Sequence, residues 1–131
     1  GMGGLLISSF IERTKWLKNE KIHLILQPMT HVEELRKTLF DNGFVIDKEV
    51  VAKDGDKLYI ILSVYFYEGQ TAYTELDLIV GKLPYNNDEL SKEYLNKIYD
   101  KYIKKLIALK NAGKDCADLE KTVEELKQWQ Q

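Results

Sequence analysis

Residues 22–28 read Ile-His-Leu-Ile-Leu-Gln-Pro, and this stretch decides the fold. The nearly continuous apolar run predicts a buried parallel strand, which Pro28 ends. Thr30 and Glu33 follow at capping-box spacing and predict a helix with Thr30 as its N-cap. Asn42-Gly43 is expected to end that helix, because glycine accepts a positive φ.

The flanking segments extend this strand–helix unit. Apolar residues at helical spacing predict a helix over residues 5–18. Residues 44–52 and 58–66 are rich in β-branched and aromatic residues, and Asp54-Gly55 between them is a hairpin turn signal. Residues 73–80 fit either a short helix or a strand. We therefore predict the α/β class, with the C-terminal half of a Rossmann-like sheet that combines a parallel strand and an antiparallel hairpin.

The C-terminal third is expected to be a helical hairpin. Asn87 or Asp88 can cap a helix that runs to about Ala112, Gly113 fits the position after its end, and Asp115 can cap a second helix. Residues 88–114 hold seven lysines and four acids, whereas residues 115–131 hold two lysines and five acids, so the helices have opposite charges. The predicted domains are residues 1–83 and 84–131, with a loop at the boundary.

Composition excludes several function classes. The 131 residues have a formal net charge of −2, which gives no global nucleic-acid signal. The single cysteine excludes an internal disulfide and, with no visible signal peptide, favours a cytoplasmic protein. No apolar run approaches the roughly 20 residues that cross a bilayer, so no membrane association is expected. Two isolated histidines indicate no metal site; we expect His23 to be structural within its apolar strand.

Two short segments remain as candidate sites. Gly1-Met2-Gly3-Gly4 precedes the first helix, where glycines allow the backbone to pass close to a ligand, although Gly1 also fits a tag remnant. Gln27-Pro28-Met29 lies at the carboxyl end of the predicted parallel strand, the edge where α/β proteins bind ligands. The spacing alone favours a plain strand end and a plain helix start, because loops between strands and helices commonly carry such residues.

Together these two segments resemble motifs of the bacterial tRNA adenine-N1 methyltransferases that modify position twenty-two of tRNA. The glycine string followed by Leu6-Ile7 resembles the family's fourth-strand motif, and Leu24-Ile25-Leu26-Gln27-Pro28 resembles its fifth-strand motif. The chain also resembles the family at Leu35-Arg36, Leu39, Gly43-Phe44, Ile46, Glu49 and Tyr67-Glu68. The resemblance implies a Rossmann-like methyltransferase domain followed by a helical, coiled-coil-like domain.

The resemblance also implies a reaction, in which S-adenosylmethionine is the cofactor and tRNA the substrate. The family's cofactor-binding glycine loop is absent from this sequence. The chain is therefore expected to be a C-terminal fragment that supplies the target-base side of the cleft, binds no cofactor alone and is inactive as it stands. The implied catalytic residues are Gln27, whose amide can pair with an adenine edge, and Met2. The implied substrate-binding residues in this part are Gly1, Gly3, Gly4, Pro28 and Met29.

A stripe of lysines on the first hairpin helix suggests the RNA-contacting surface. Lys97, Lys101, Lys104 and Lys105 recur at helical spacing and can hold RNA phosphates. A solvated face neutralised by the acidic second helix explains them equally well. The competing function is a non-catalytic module that binds RNA or protein through the hairpin. A homodimer is also expected, through the exposed edge of strand 22–26 or through the hairpin.

Overall fold

The computed structural model describes residues 2–69 and 71–130. The chain divides into two compact units, Gly1–Lys82 and Leu83–Gln131. The first unit contains α1 (Gly4–Arg13), a 3-10 turn (Lys15–Leu17), β1 (His23–Leu26), α2 (Val32–Asp41), β2 (Phe44–Asp54), β3 (Lys57–Phe66) and α3 (Glu75–Val80). The second contains 3-10 turns at Leu83–Tyr85 and Lys127–Trp129, with α4 (Glu89–Asn111) and α5 (Ala117–Leu126) between them.

The sheet has three strands in the order β1-β3-β2. Both outer strands are antiparallel to β3, so β1 and β2 run in the same direction with β3 inserted between them. The combination of this sheet with helices α1, α2 and α3 confirms the predicted α/β class. Within the described residues, however, β1 has no parallel neighbour. The only described strand that pairs with β1 is β3, and that pairing is antiparallel. The hairpin turns at Gly55, whose φ is 61°.

One face of the sheet forms the core, and the other is partly open. Ile60, Leu62 and Val64 of β3 are buried to 1% exposure or less. On the opposite face Ile25 of β1 is 68% exposed and Val50 of β2 is 51% exposed. The prediction of a fully buried first strand is therefore wrong, because β1 is an edge strand of which one face is uncovered. His23 is exposed, and its ring lies 5.4 Å from that of Tyr65.

Two helix boundaries differ from the sequence predictions. The predicted helix 5–18 ends at Arg13, because Thr14 leaves the helical conformation and a separate 3-10 turn then buries Leu17. The N-cap of α2 is His31 in the left-handed conformation, not Thr30. The Thr30 carbonyl instead accepts a hydrogen bond from the Gly4 N–H, at 2.6 Å. Thr30 therefore lies outside α2, in a loop that is hydrogen-bonded to the start of α1.

The ambiguous segment 73–80 forms a helix, α3. Its N-cap Thr74 accepts a hydrogen bond from the Asp77 N–H, and the Asp77 carboxylate accepts one from the Thr74 N–H. This reciprocal pair satisfies two backbone donors at the start of the helix. The capping box therefore decides the helical alternative locally.

A buried ion pair joins α2, β2 and the end of α3. Arg36 and Glu49 are 1% and 3% exposed, and the guanidinium and carboxylate are joined by two contacts, the shorter 2.7 Å. Arg36 Nη1 also donates to the carbonyls of Leu78 and Ile79. Gly81 passes against this pair with a φ of 55°, and a Cβ there would overlap the Glu49 carboxylate.

The second unit is a helical hairpin with predicted local signals at its ends. Asp88 caps α4 by accepting from the Ser91 N–H at 2.8 Å, and Gly113 follows α4 with a φ of 68°. The N-cap of α5 is Cys116 rather than Asp115, although the Asp115 carboxylate accepts from the Ala117 N–H. The buried side chains of the two helices are Leu95, Tyr102, Val123, Leu126 and Ser91.

Candidate functional site

The structure brings together the two segments that the sequence singled out separately. The Met29 N–H donates to the Met2 carbonyl at 3.1 Å, and the Gly4 N–H donates to Thr30. The loop after β1 is thus held against the start of α1. Gln27 and Met29 are exposed in this loop, whereas Pro28 between them is buried. Gly1 lies outside the described residues.

The glycines before α1 have a packing role. A Cβ at Gly3 would lie 2.6 Å from Thr30 Oγ1, closer than such atoms approach. A Cβ at Gly4 would overlap the backbone carbonyl oxygens of Thr30 and His31. The close approach that glycine permits here is therefore to the loop after β1, and the glycines fix the position of that loop.

An open depression of about 490 Å³ lies between the carboxyl end of β1 and the residues next to the turn of the β2–β3 hairpin. Its volume is within the usual range for small-molecule sites, about 300–1,000 Å³. It is lined by Gln27, Met29, Ala52, Lys53, Asp54, Tyr59 and Ile61. It thus combines an amide, a carboxylate, an amine and a phenol with apolar walls, a set that can bind a flat, polar-edged group such as a nucleobase.

The four predicted RNA-contacting lysines, Lys97, Lys101, Lys104 and Lys105, are all exposed on α4. Lys105 Nζ lies 5.3 Å from the centroid of the Tyr102 ring, which holds that ammonium over an aromatic face. Elsewhere in the hairpin, Lys110 forms an ion pair with Glu120 of α5 at 3.9 Å. These lysines belong to the second unit, whereas Gln27 and Met29 belong to the first.

The sequence analysis missed a polar cluster at the other end of β3. Lys37 donates to Asp41 at 2.9 Å, and the Tyr73 hydroxyl donates to the same carboxylate. The Tyr73 hydrogen bond and then that of Lys37 lower the pKa of Asp41. Tyr73 and Asp41 also line a second depression, of about 470 Å³. The i,i+4 pair was readable from the sequence, whereas the contact with Tyr73 was not.

Residues 2–69 and 71–130 show neither a metal-binding cluster nor a membrane-spanning helix. This part of the chain contains no group of three or more His, Cys, Asp and Glu side chains that could bind a metal ion. None of its helices is both long and apolar enough to cross a membrane.

The chain was compared with known protein families, curated proteins and solved structures. The sequence profile of the tRNA (adenine(22)-N(1))-methyltransferases matches residues 1–128. A Bacillus subtilis tRNA (adenine(22)-N(1))-methyltransferase is 31% identical over 99 residues, which are 74% of this chain and 42% of that protein. This chain spans about half the length of the curated relatives that it matches.

Solved structures share the fold over the whole chain. A Rossmann-superfamily protein from Streptococcus agalactiae is 28% identical with a TM-score of 0.78, covering 100% of this chain and 57% of that one. A candidate tRNA (m1A22) methyltransferase from Streptococcus pneumoniae, in complex with S-adenosyl-L-methionine, is 26% identical with a TM-score of 0.76 and the same coverage. The resemblance seen in the sequence is confirmed: this chain belongs to the tRNA (adenine(22)-N(1))-methyltransferase family.

Proposed function

We propose that this chain supplies the target-base side of the cleft and a tRNA-contacting tail in the methylation of adenine N1 in tRNA. The family match over residues 1–128 supports the reaction. The depression next to Gln27 and Met29 supports the assignment of this part to the target base. A tRNA substrate would place the protein in the cytoplasm.

S-adenosylmethionine is the cofactor that we propose for the reaction, since a relative binds it. The described residues do not fit as its binding site. The connection after β1 holds the buried Pro28 and is tied to the backbone of Met2 and Gly4, so it offers no open glycine-rich turn for the cofactor. We therefore assign to this chain only contacts with the substrate.

Gln27 is proposed to orient the target adenine. Its exposed amide has both a donor and an acceptor and lies at the edge of the depression, where the Watson–Crick edge of an extruded base can meet it. Met29 would pack against the base, Pro28 and the glycines Gly3 and Gly4 would fix the loop, and Met2 would hold it through its carbonyl.

A fluorescent base tests this role. A tRNA with 2-aminopurine at position 22 should become brighter on binding, because extrusion removes stacking from the base. Gln27→Ala should reduce that increase while overall tRNA affinity changes little. Gln128→Ala removes an exposed amide from the second unit and is the matched control. The same brightness with Gln27→Ala as with the wild type would contradict the assignment.

The lysine stripe Lys97, Lys101, Lys104 and Lys105 is proposed to contact tRNA phosphates. Each phosphate contact contributes about −0.9 to the slope of log affinity against log salt on a duplex. Replacing all four by glutamine should reduce the slope by roughly 3–4. A variant with the exposed lysines Lys48, Lys57, Lys114 and Lys121 replaced is the charge-matched control. Equal slopes for both variants would favour a purely structural hairpin.

The alternative function is a non-catalytic module that binds RNA or protein through the helical hairpin. The exposed lysines of the hairpin could bind such a partner without a catalytic cleft. The 2-aminopurine signal separates these functions. A binding module would retain the lysine-dependent salt slope but give no increase in brightness at position 22.

A homodimer through the edge of β1 is a further proposal. Among the described strands β1 has a neighbour on one side only, and the exposed Ile25 makes that edge attractive to a second chain. Ile25→Lys should then shift the mass measured by sedimentation equilibrium from dimer to monomer. Val50→Lys on the other outer strand is the matched control. A wild-type monomer at micromolar concentration would refute the proposal.

A further inference from the structure

The end of the β2–β3 hairpin carries an aromatic side chain into the same depression as Gln27. Tyr59 pairs with Ala52 in the sheet register, and both line the depression. Tyr59 lies on the open face, because the next residue, Ile60, faces the core and is 1% exposed. The Tyr59 side chain is partly exposed and is paired with the small residue Ala52.

The strand register places Gln27 near this ring. Leu26 pairs with Leu62, so Gln27, the next residue along β1, lies beside Ile61, two residues from Tyr59. Side chains two apart on a strand share a face. Gln27, Tyr59 and Asp54 therefore line the depression from the same open face of the sheet.

We propose that Tyr59 stacks on the extruded target adenine, so that the hairpin end forms the wall of the base pocket opposite Gln27. The inference rests on the proposed function. Aromatic rings hold unpaired bases by stacking. The amino group of adenine can donate a hydrogen bond to the Asp54 carboxylate. Such stacking holds the base outside the RNA helix, while hydrogen bonds to Gln27 set the rotation of the base within its own ring plane.

A base platform explains this set of residues better than a peptide site does. A peptide that adds to a sheet needs an open strand edge, whereas Tyr59 lies on β3, the central strand of the sheet. The Tyr59 side chain projects from the open face of the sheet rather than from a strand edge. A flat ligand therefore fits this position, and a nucleobase is the flat group that the proposed substrate provides.

Two RNAs test the assignment directly. The affinity of this chain is measured by fluorescence anisotropy for a tRNA hairpin with adenosine at the target position and for the same hairpin with an abasic nucleotide there. The wild type should prefer the adenosine RNA. Tyr59→Ala should lower affinity for the adenosine RNA by about five- to a hundredfold, the usual effect of losing one stacked base, and leave the abasic RNA unaffected.

Three further variants separate stacking from a structural role. Tyr59→Phe keeps the ring and should bind as the wild type does, whereas Tyr59→Leu keeps apolar bulk without a flat ring and should lose the preference for adenosine. Tyr67→Ala removes an exposed tyrosine beyond the other end of β3 and should change neither affinity. A general folding defect would weaken binding to both RNAs, whereas loss of stacking weakens binding to the adenosine RNA alone. A Tyr59→Leu variant that keeps the preference for adenosine would overturn the inference.

The outcomes also distinguish the two levels of the proposal. If the wild type prefers adenosine and Tyr59→Ala keeps the same preference, the Tyr59 assignment is wrong and the proposed function stands. If the wild type binds both RNAs equally, the target base does not enter this depression, and both proposals are wrong.

Discussion

Replacing Arg36 by methionine should destabilise the first unit strongly, because the substitution leaves a buried carboxylate without its cation. Arg36 makes two contacts with Glu49 and two with the carbonyls of Leu78 and Ile79, and both charged side chains are almost completely buried. Removing one partner of such a pair typically costs about 3–5 kcal/mol. A small domain has a total free energy of unfolding of only about 5–15 kcal/mol, so the loss is a large fraction of it.

The loss of stability of the first unit can be measured by urea denaturation, with the fluorescence of a single tryptophan as the probe. The chain has two tryptophans, and Trp129→Phe leaves Trp16, which belongs to the first unit. In this background Arg36→Met should lower the urea midpoint at an unchanged m-value. Lys37→Met, at the next position but with an exposed side chain, is the matched control and should leave the midpoint nearly unchanged.

A double variant tests the cause of the loss. Arg36→Met with Glu49→Met buries no charge and should recover most of the lost stability, as apolar replacements of buried pairs often do. The carbonyls of Leu78 and Ile79 would still lack the guanidinium, and the Lys82 N–H would lose its Glu49 acceptor, so recovery should be incomplete. A single variant within about 1 kcal/mol of the wild type would refute the reasoning, since removing the cation of a buried ion pair typically costs about 3–5 kcal/mol.

Three other predictions follow from local geometry. Gly4→Ala should destabilise the first unit by about 1–3 kcal/mol through overlap with the Thr30 and His31 carbonyls, measured by urea denaturation against the exposed Leu5→Ala; equal midpoints would contradict the packing role. Asp88→Ala should cost about 0.5–2 kcal/mol through loss of the α4 cap, while Asp100→Ala, in the middle of α4 and exposed, should cost less in the same measurement. Tyr73→Phe should raise the pKa of Asp41 towards its ordinary value, because the Tyr73 hydroxyl is the main cause of its depression; carboxyl NMR titration would show an unchanged pKa if this is wrong. Because the pKa of Asp41 is lowered in the folded state, its contribution to stability is present above the unfolded-state pKa and is lost as the pH falls through the folded-state value.

Local signals predicted the elements that local chemistry controls. Asp54-Gly55 identified the β2–β3 hairpin, and Asp88 and Gly113 identified the two ends of α4, because a turn or a cap needs only a few neighbouring residues. The predicted capping box at Thr30 was wrong, because α2 begins one residue later with His31 as its N-cap and without a side-chain cap. The true capping box, at Thr74, lay in the segment that periodicity left ambiguous.

The candidate site was predictable only in part for the same reason. Gln27 and Met29 were identified from their place after a strand, but Tyr59 was not, since 32 positions separate it from Gln27 and only the sheet register brings them together. The resemblance to the family marked the positions of Arg36 and Glu49. That these two side chains form a buried pair needed the packing of α2 on β2.

The sequence by itself determined the order of helices and strands outside residues 73–80, the turn chemistry and the family, because these depend on short-range spacing and on residue identity. Only the tertiary structure decided that β1 is half-exposed, that the glycines before α1 pack against the loop after β1, and that Gln27 and Tyr59 face one depression. Those features arise from contacts between distant segments, and their free energies depend on which surfaces meet when the chain folds.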